Sequence, residues 1–281
     1  DFWKKRWGWL YAINLVLLAL ILVIGKAQYG ATRWIDLGIV DLQPSEISKV
    51  LMTICLASYF ADREEEVTRL SQFVKSFLLV LPVLVLLMLQ PHLGATMSVI
   101  MIWLAIALAA GVPWKFPLAS LGIVLALLAG AFFSPKLPEN LEYMRERILA
   151  KMKPDPKGNN YQVDQAITAI GSGGVMGAGL ARGDQKHGGY IPLQQNDFIF
   201  TVIGEEGGFV GSVLFIGVFV AFLLRGWWTG IKANSLYGRL IVTGLVAVLG
   251  FHFIVNMGMN LGLTPVVGLW LPFLSYGGTA L

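Results

Sequence analysis

Charge is what this chain has least of. Only 14% of its 281 residues are Asp, Glu, Lys or Arg, while 56% are apolar; soluble domains carry about 25% charged residues. There is one cysteine, Cys55, so no internal disulfide forms, and its place in an apolar run reads as packing. The three histidines, His92, His187 and His252, are scattered without metal-ligand spacing and read as structural or surface residues. The net charge of +4 is modest and spread over several loops, with no basic arm of the kind nucleic acid selects. The chain opens at Asp1 with no visible signal peptide and stops at Leu281 where an apolar helix is starting, so both ends read as truncated.

What fills the chain is long charge-free runs: Trp7 to Gly25, Ser76 to Trp114, Phe116 to Pro135, Gly207 to Leu224 and Leu240 to Leu281. A bilayer crossing takes about 20 apolar residues. Helices are expected at 9–24, 44–60, 73–89, 95–110, 116–133, 197–224 and 240–261, with one more starting at Thr279. The fold class is therefore all-α, a polytopic transmembrane helix bundle of seven spans plus a stub, forming one domain over 1–281. Gly25 to Gln43 reads as a short loop. Many of the nine Trp and eight Tyr lie near run ends, as in an interfacial aromatic belt. Lys4, Lys5 and Arg6 before the first helix place its start in the cytoplasm, and Asp62 to Arg69 and Arg225 to Arg239 fall on the same side. The polar, glycine-rich stretch 135–198 is then one extracytoplasmic loop; loops beyond about 60 residues escape the positive-inside rule, so its basic residues do not object. Within it, Glu139 to Lys153 reads as an amphipathic helix on the bilayer surface.

A few polar groups need a reason to be there. Gln43-Pro44-Ser45-Glu46-Ile47-Ser48-Lys49 opens a helix, with Pro44 in its first turn and Gln43 or Ser45 as cap. Glu46 and Lys49, three apart, share a face. They form either a solvated ion pair or, with Arg33 nearby, an ammonium and a guanidinium for an anion at the outer surface. Asp197 stands at the mouth of a span. It is either an N-cap, a task Asn196 also suits, or a functional carboxylate. Glu205 and Glu206 follow two turns in. A carboxylate at mid-helix costs about 2.5–3.5 kcal/mol on insertion scales, so three acids this close demand partners or a task. Asp197 is assigned the functional role, and Glu205 and Glu206 a structural one. Gly171 to Gly179 lacks both the Gly-Lys-Ser/Thr ending and the dinucleotide spacing of nucleotide loops, and reads as sharp turns or a close approach to a ligand or a neighbouring helix. Ser275-Tyr276-Gly277-Gly278 is a second such turn.

Taken in order, several strings resemble the SEDS family (shape, elongation, division and sporulation). They are Arg33-Trp34-Ile35-Asp36-Leu37-Gly38, Gln43-Pro44-Ser45-Glu46, Gln90-Pro91, Ala169-Ile170-Gly171-Ser172-Gly173-Gly174, Asp197-Phe198-Ile199-Phe200 with Glu205-Glu206, Asn256-Met257-Gly258-Met259 and Pro272-Phe273-Leu274-Ser275-Tyr276-Gly277-Gly278. The first string looks more like the elongation branch than the division branch. The resemblance implies ten transmembrane helices, of which these are the third to ninth. It implies a bacterial inner-membrane peptidoglycan glycosyltransferase that polymerises lipid II, releasing undecaprenyl pyrophosphate with inversion. It further implies Asp197 as the essential acid, a polar and cationic entrance formed by Arg33, Glu46 and Lys49, and a class B penicillin-binding protein (a transpeptidase) as partner. Gln43, Ser275 and Tyr276 join the expected substrate-binding set. No metal ligands are assigned and no cofactor is certain, although a divalent cation, Mg or Mn, is a candidate helper. His92 stands where the family usually has Asp, Leu193-Gln194-Gln195-Asn196 replaces a frequent Glu-x-x-Thr, and Leu is usual at Gly207. The competing classes are a lipid II flippase, which needs a polar path through the midplane, and a non-catalytic scaffold for the transpeptidase.

Overall fold

The structure is a computed structural model that describes residues 2–24, 26–28, 31–36, 41–120, 122, 159–180, 182–183 and 195–276. Between 26 and 42 it describes the backbone alone, Trp34 excepted. The expected helix at 139–153, most of 116–133 and the stub at Thr279 lie outside the described residues. The chain divides into two compact units, Asp1–Tyr143 with Gly226–Val248, and Met144–Arg225 with Leu249–Leu281.

In the first unit, α1 (Phe2–Lys5) and α2 (Trp7–Ile24) lead into strands β1 (Lys26–Gln28), β2 (Ala31–Asp36) and β3 (Asp41–Leu42). Then come α3 (Pro44–Ala61), a 3-10 turn Glu64–Glu66, α4 (Leu70–Leu89) and α5 (Leu93–Ala110). The Lys4 ammonium meets the Asp62 carboxylate at 3.0 Å, so α2 starts where the antiparallel α3 ends. At the far end of α2, Gln90 Nε2 donates to Leu18 O at 2.9 Å. Met52, Leu56, Phe60, Val80, Ile102 and Ile106 are among the side chains that fill the core between these helices. Trp103 stacks on Phe73 at 4.9 Å and donates its indole N–H to Ser76 Oγ at 2.9 Å, the partner a buried indole needs.

The described residues are nearly all helical, as expected, and one expected loop needs correction. Gly25 to Gln43, expected as a loop, holds a three-stranded antiparallel sheet of order β1-β2-β3, with Trp34 opposite Lys26 and Ile35 opposite Leu42. The reason is local: Ala31-Thr32-Arg33-Trp34-Ile35 is rich in β-branched and aromatic residues, and the sequence supplies Gly30 and Gly38 between the strands.

The second unit contains α6 (Asn159–Ser172), most of α7 (Ile199–Ile231) and the last part of α8 (Leu236–Asn260). Phe219 stacks on Phe253 at 4.1 Å, and Phe200 and Leu271 complete that core. Among the described residues, α4, α5, α7 and α8 are long and apolar enough to cross a membrane, and Trp7–Val23 forms a shorter apolar helix. On α7, Phe209, Leu214, Val218 and Trp228 are exposed, the arrangement expected of a face turned to lipid.

The helix expected at 197–224 is not continuous. It is broken at Gly208, whose φ of 62° and ψ of −160° are open to glycine alone. The break strands carbonyls before it and N–H groups after it, and the turn after α6 takes them up. Ala178 N donates to Glu205 O at 2.9 Å and Gly179 N to Glu206 O at 3.1 Å, while Phe209 N donates to Gly174 O at 2.9 Å and Val210 N to Val175 O at 3.1 Å. The two backbones lie so close that a Cβ at Gly173 would overlap Gly204 O and one at Gly177 would overlap Glu206 O. Two of the readings given to the glycine run are observed together, the close approach to a helix and the sharp turn, with Gly174, Gly177 and Gly179 at positive φ. Gly177→Ala is therefore expected to cost about 4 kcal/mol or more. Gly171→Ala, where a Cβ meets nothing within 4 Å, should be neutral or stabilise by up to about 1 kcal/mol. Thermal melts of the two purified variants, side by side, check this; equal melting points would contradict the clasp.

Candidate active site

Residues 195–198, which lead into α7, each have their peptide carbonyl taken. Tyr276 N donates to Gln195 O at 2.8 Å, and Ser275 Oγ donates to Asn196 O at 2.6 Å. Asn256 Nδ2 donates to Asp197 O at 2.9 Å, joined there by Asn260 Nδ2 at 3.1 Å. Phe198 O accepts from Thr201 N at 3.1 Å and Thr201 Oγ1 at 2.6 Å. Phe198 is buried against Ala166 and Ala169 of α6, with Val163 and Val266 beside them. Asp197 thus sits two residues before α7 begins, in a turn held from both sides. Gly268 lies beside the carboxylate: a Cβ there would stand in ordinary contact at 3.7 Å from Asp197 Oδ2, and it is the φ of +69° that favours glycine.

Ser275 was expected to touch substrate. Its hydroxyl is buried and engaged within the protein, donating to Asn196 O and accepting from Leu271 N at 2.8 Å. Tyr276 is 75% exposed. Glu205 is buried at 2% exposure, and the main-chain carbonyls of Glu205 and Glu206 receive the glycine turn.

In the first unit, β3 ends directly before Gln43, and Pro44 is the first residue of α3, as its fixed φ favours. Neither expected cap operates: Gln43 makes no side-chain cap bond, and Ser45 Oγ is buried without a hydrogen-bond partner. Lys49 Nζ lies 2.7 Å from Glu46 Oε2, and their side chains are only 4% and 12% exposed. The solvated-pair alternative fails for this reason. Ser48 and Thr53 are buried on the same helix, and Thr53 donates to Lys49 O at 2.8 Å. β2, which carries Arg33, lies against α2 and α3; the Arg33 side chain is outside the described ones. The structure brings Glu46 to Lys49, and Ser275 to Asn196, the neighbour of Asp197, and the two sets belong to different units. Among the described residues, no three His, Cys, Asp or Glu side chains gather as a cation site.

Sequence reasoning missed α6 and the two asparagines that grip Asp197. Val163, Ala166, Ile167, Ala169 and Ile170 carry helical spacing, and Asn256 and Asn260, four apart in an apolar helix, are the kind of buried polar pair that signals a task.

These features define an integral membrane protein with an aspartate whose main chain is held at the mouth of a spanning helix. The chain belongs to the FtsW, RodA and SpoVE family of cell cycle proteins, whose family model matches residues 1–281. It is 36% identical over 281 residues to the peptidoglycan glycosyltransferase MrdB of Escherichia coli K12, covering 98% of this chain and 74% of that protein. It is 37% identical over 288 residues to a probable peptidoglycan glycosyltransferase FtsW of Coxiella burnetii, covering 99% and 75%. Among solved structures, it superposes with a TM-score of 0.82 and 33% identity, over 99% of this chain and 77% of the other, on a chain from work on the structural coordination of polymerization and crosslinking by a peptidoglycan synthase complex. On the rod shape determining protein RodA of Thermus thermophilus the TM-score is 0.70 at 30% identity, over 99% and 73%.

An ion pair this dry tests its own purpose. Removing one partner of a buried pair costs about 3–5 kcal/mol, whereas replacing both with apolar residues is often neutral. Glu46→Ala should lower the melting temperature of the detergent-solubilised protein, and E46L/K49M should restore it. Restored stability with lost polymerase activity is the expected result; restored activity would make the pair structural.

Proposed function

We propose that this chain polymerises lipid II, with Asp197 as general base. A peptidoglycan glycosyltransferase role in cell elongation follows from its named relatives, MrdB and RodA. The observation that carries the residue assignment is the fixed mouth of α7, where the carbonyls of Gln195, Asn196 and Asp197 are all held by donors. In the proposed step, the 4-hydroxyl of one sugar attacks the anomeric carbon of another. The new C–O bond forms as the bond to the pyrophosphate breaks with inversion, and the hydroxyl proton passes to the Asp197 carboxylate.

The departing undecaprenyl pyrophosphate gathers negative charge, which Lys49, oriented by Glu46, and Arg33 would stabilise in a low-dielectric site. Gln43, Ser275 and Tyr276 complete the proposed substrate-binding set, Ser275 through the main chain it holds. A divalent cation, Mg or Mn, would arrive with the pyrophosphate, and a chelator titration measures it. The proposed setting is a bacterial inner membrane, with the 135–198 loop on the extracytoplasmic side and a class B penicillin-binding protein as partner. The likeness to a chain of a peptidoglycan synthase complex supports that partner.

The test uses the intact protein with its transpeptidase and labelled lipid II. Wild type should give glycan ladders, while Asp197→Ala and Asp197→Asn should give fewer by about 100-fold or more. Ladders at full strength from Asp197→Asn would remove the base assignment. No ladders from wild type, with lipid II flipping intact in vesicles, would favour a transporter.

A further inference from the structure

Asn256 and Asn260 lie four residues apart on α8, and neither has any exposed surface. A carboxamide in an apolar helix costs free energy unless its hydrogen bonds are made, so their partners show what they are for. Asn256 Nδ2 has two protons. It gives one to Asp197 O at 2.9 Å and one to Leu269 O at 2.7 Å. Asn260 Nδ2 reaches the same Asp197 carbonyl at 3.1 Å, along with Asn256 O at 2.8 Å and Asn256 Oδ1 at 3.2 Å. The pair therefore ties α8 to two other pieces of chain, the 195–198 turn and the segment after α8.

We infer that Asn256 and Asn260 are positioning residues that aim the Asp197 carboxylate by fixing the peptide plane on its C-terminal side. The plane on the N-terminal side is fixed by Ser275 through Asn196 O. Peptide units are rigid planes, so holding both neighbours of one Cα fixes its φ and ψ. Only the two side-chain torsions of Asp197 then remain, and those occupy few wells. The chemistry of the donors suits a base. Both amides are neutral and act on the main chain, so they add no positive charge that would weaken the carboxylate's hold on a proton.

This inference rests on Asp197 being the base, and the experiment separates the two. The intact protein with its transpeptidase, in lipid nanodiscs, is compared with N256A, N260A and D197A. Two quantities are measured: labelled lipid II bound per protein with its Kd, and the single-turnover rate of polymerisation. N256A should bind the wild-type amount of lipid II with Kd within about two-fold, yet react about 10- to 100-fold more slowly, the penalty of a misplaced group. N260A, which keeps the shorter 2.9 Å bond to the carbonyl and the tie to Leu269, should lose less, about 3- to 10-fold. If N256A does not accumulate, N260A decides by the same comparison. Rates that fall only in proportion to bound lipid II would mean a purely structural role and overturn the inference. So would wild-type rates in N256A and N260A beside an inactive D197A, which leaves the base intact. Wild-type polymerisation by D197A would instead remove the base, and this inference with it.

Discussion

Inside a bilayer, a peptide N–H or C=O that leaves its helix has no water to turn to, and each one left alone costs several kcal/mol. Helix α7 meets this constraint twice. At its mouth, carbonyls 195–198 are taken by Tyr276, Ser275, Asn256 with Asn260, and Thr201. At its break, two carbonyls and two N–H groups around Gly208 are taken by the turn after α6. Both solutions draw in distant segments, the loop before α7 and the stretch after α8. The need to pair main-chain groups thus gathers the unit around Asp197.

The first unit works by a different balance. Its buried ion pair is a poor way to gain stability, because desolvating two charges cancels much of their attraction. What the pair supplies is an ammonium of fixed position in a dry setting, where charges act more strongly than in water. The sheet before α3 leads directly into that helix. It ties the strand bearing Arg33 through β3 to the start of the helix bearing Glu46 and Lys49.

Much of this was legible in the residues. The apolar runs marked α2, α4, α5 and α8 because crossing length is set by the bilayer and owes little to neighbours. Pro44 marked the start of α3 because its ring fixes φ wherever it stands. Asp197 stood out because a carboxylate beside an apolar run is costly. The sheet between β1 and β3 was missed, although Thr32, Trp34 and Ile35 favour strands, because a short polar link between spans is by default a loop. The break at Gly208 was hidden in an apolar run of ordinary helical length. α6 was masked by the glycines that follow it.

The sequence by itself determined the membrane class, the acid at a helix mouth, the three-residue spacing of Glu46 and Lys49 and the family strings, since each is a matter of composition or local spacing. Only the tertiary structure decided that the ion pair is dry, that Ser275 serves the main chain, that the glycine run clasps a broken helix and that Asn256 and Asn260 hold Asp197. Burial and hydrogen bonding between residues some 60 to 80 apart in the chain, such as Asn256 with Asp197 and Ser275 with Asn196, depend on how segments pack, and no local pattern encodes that.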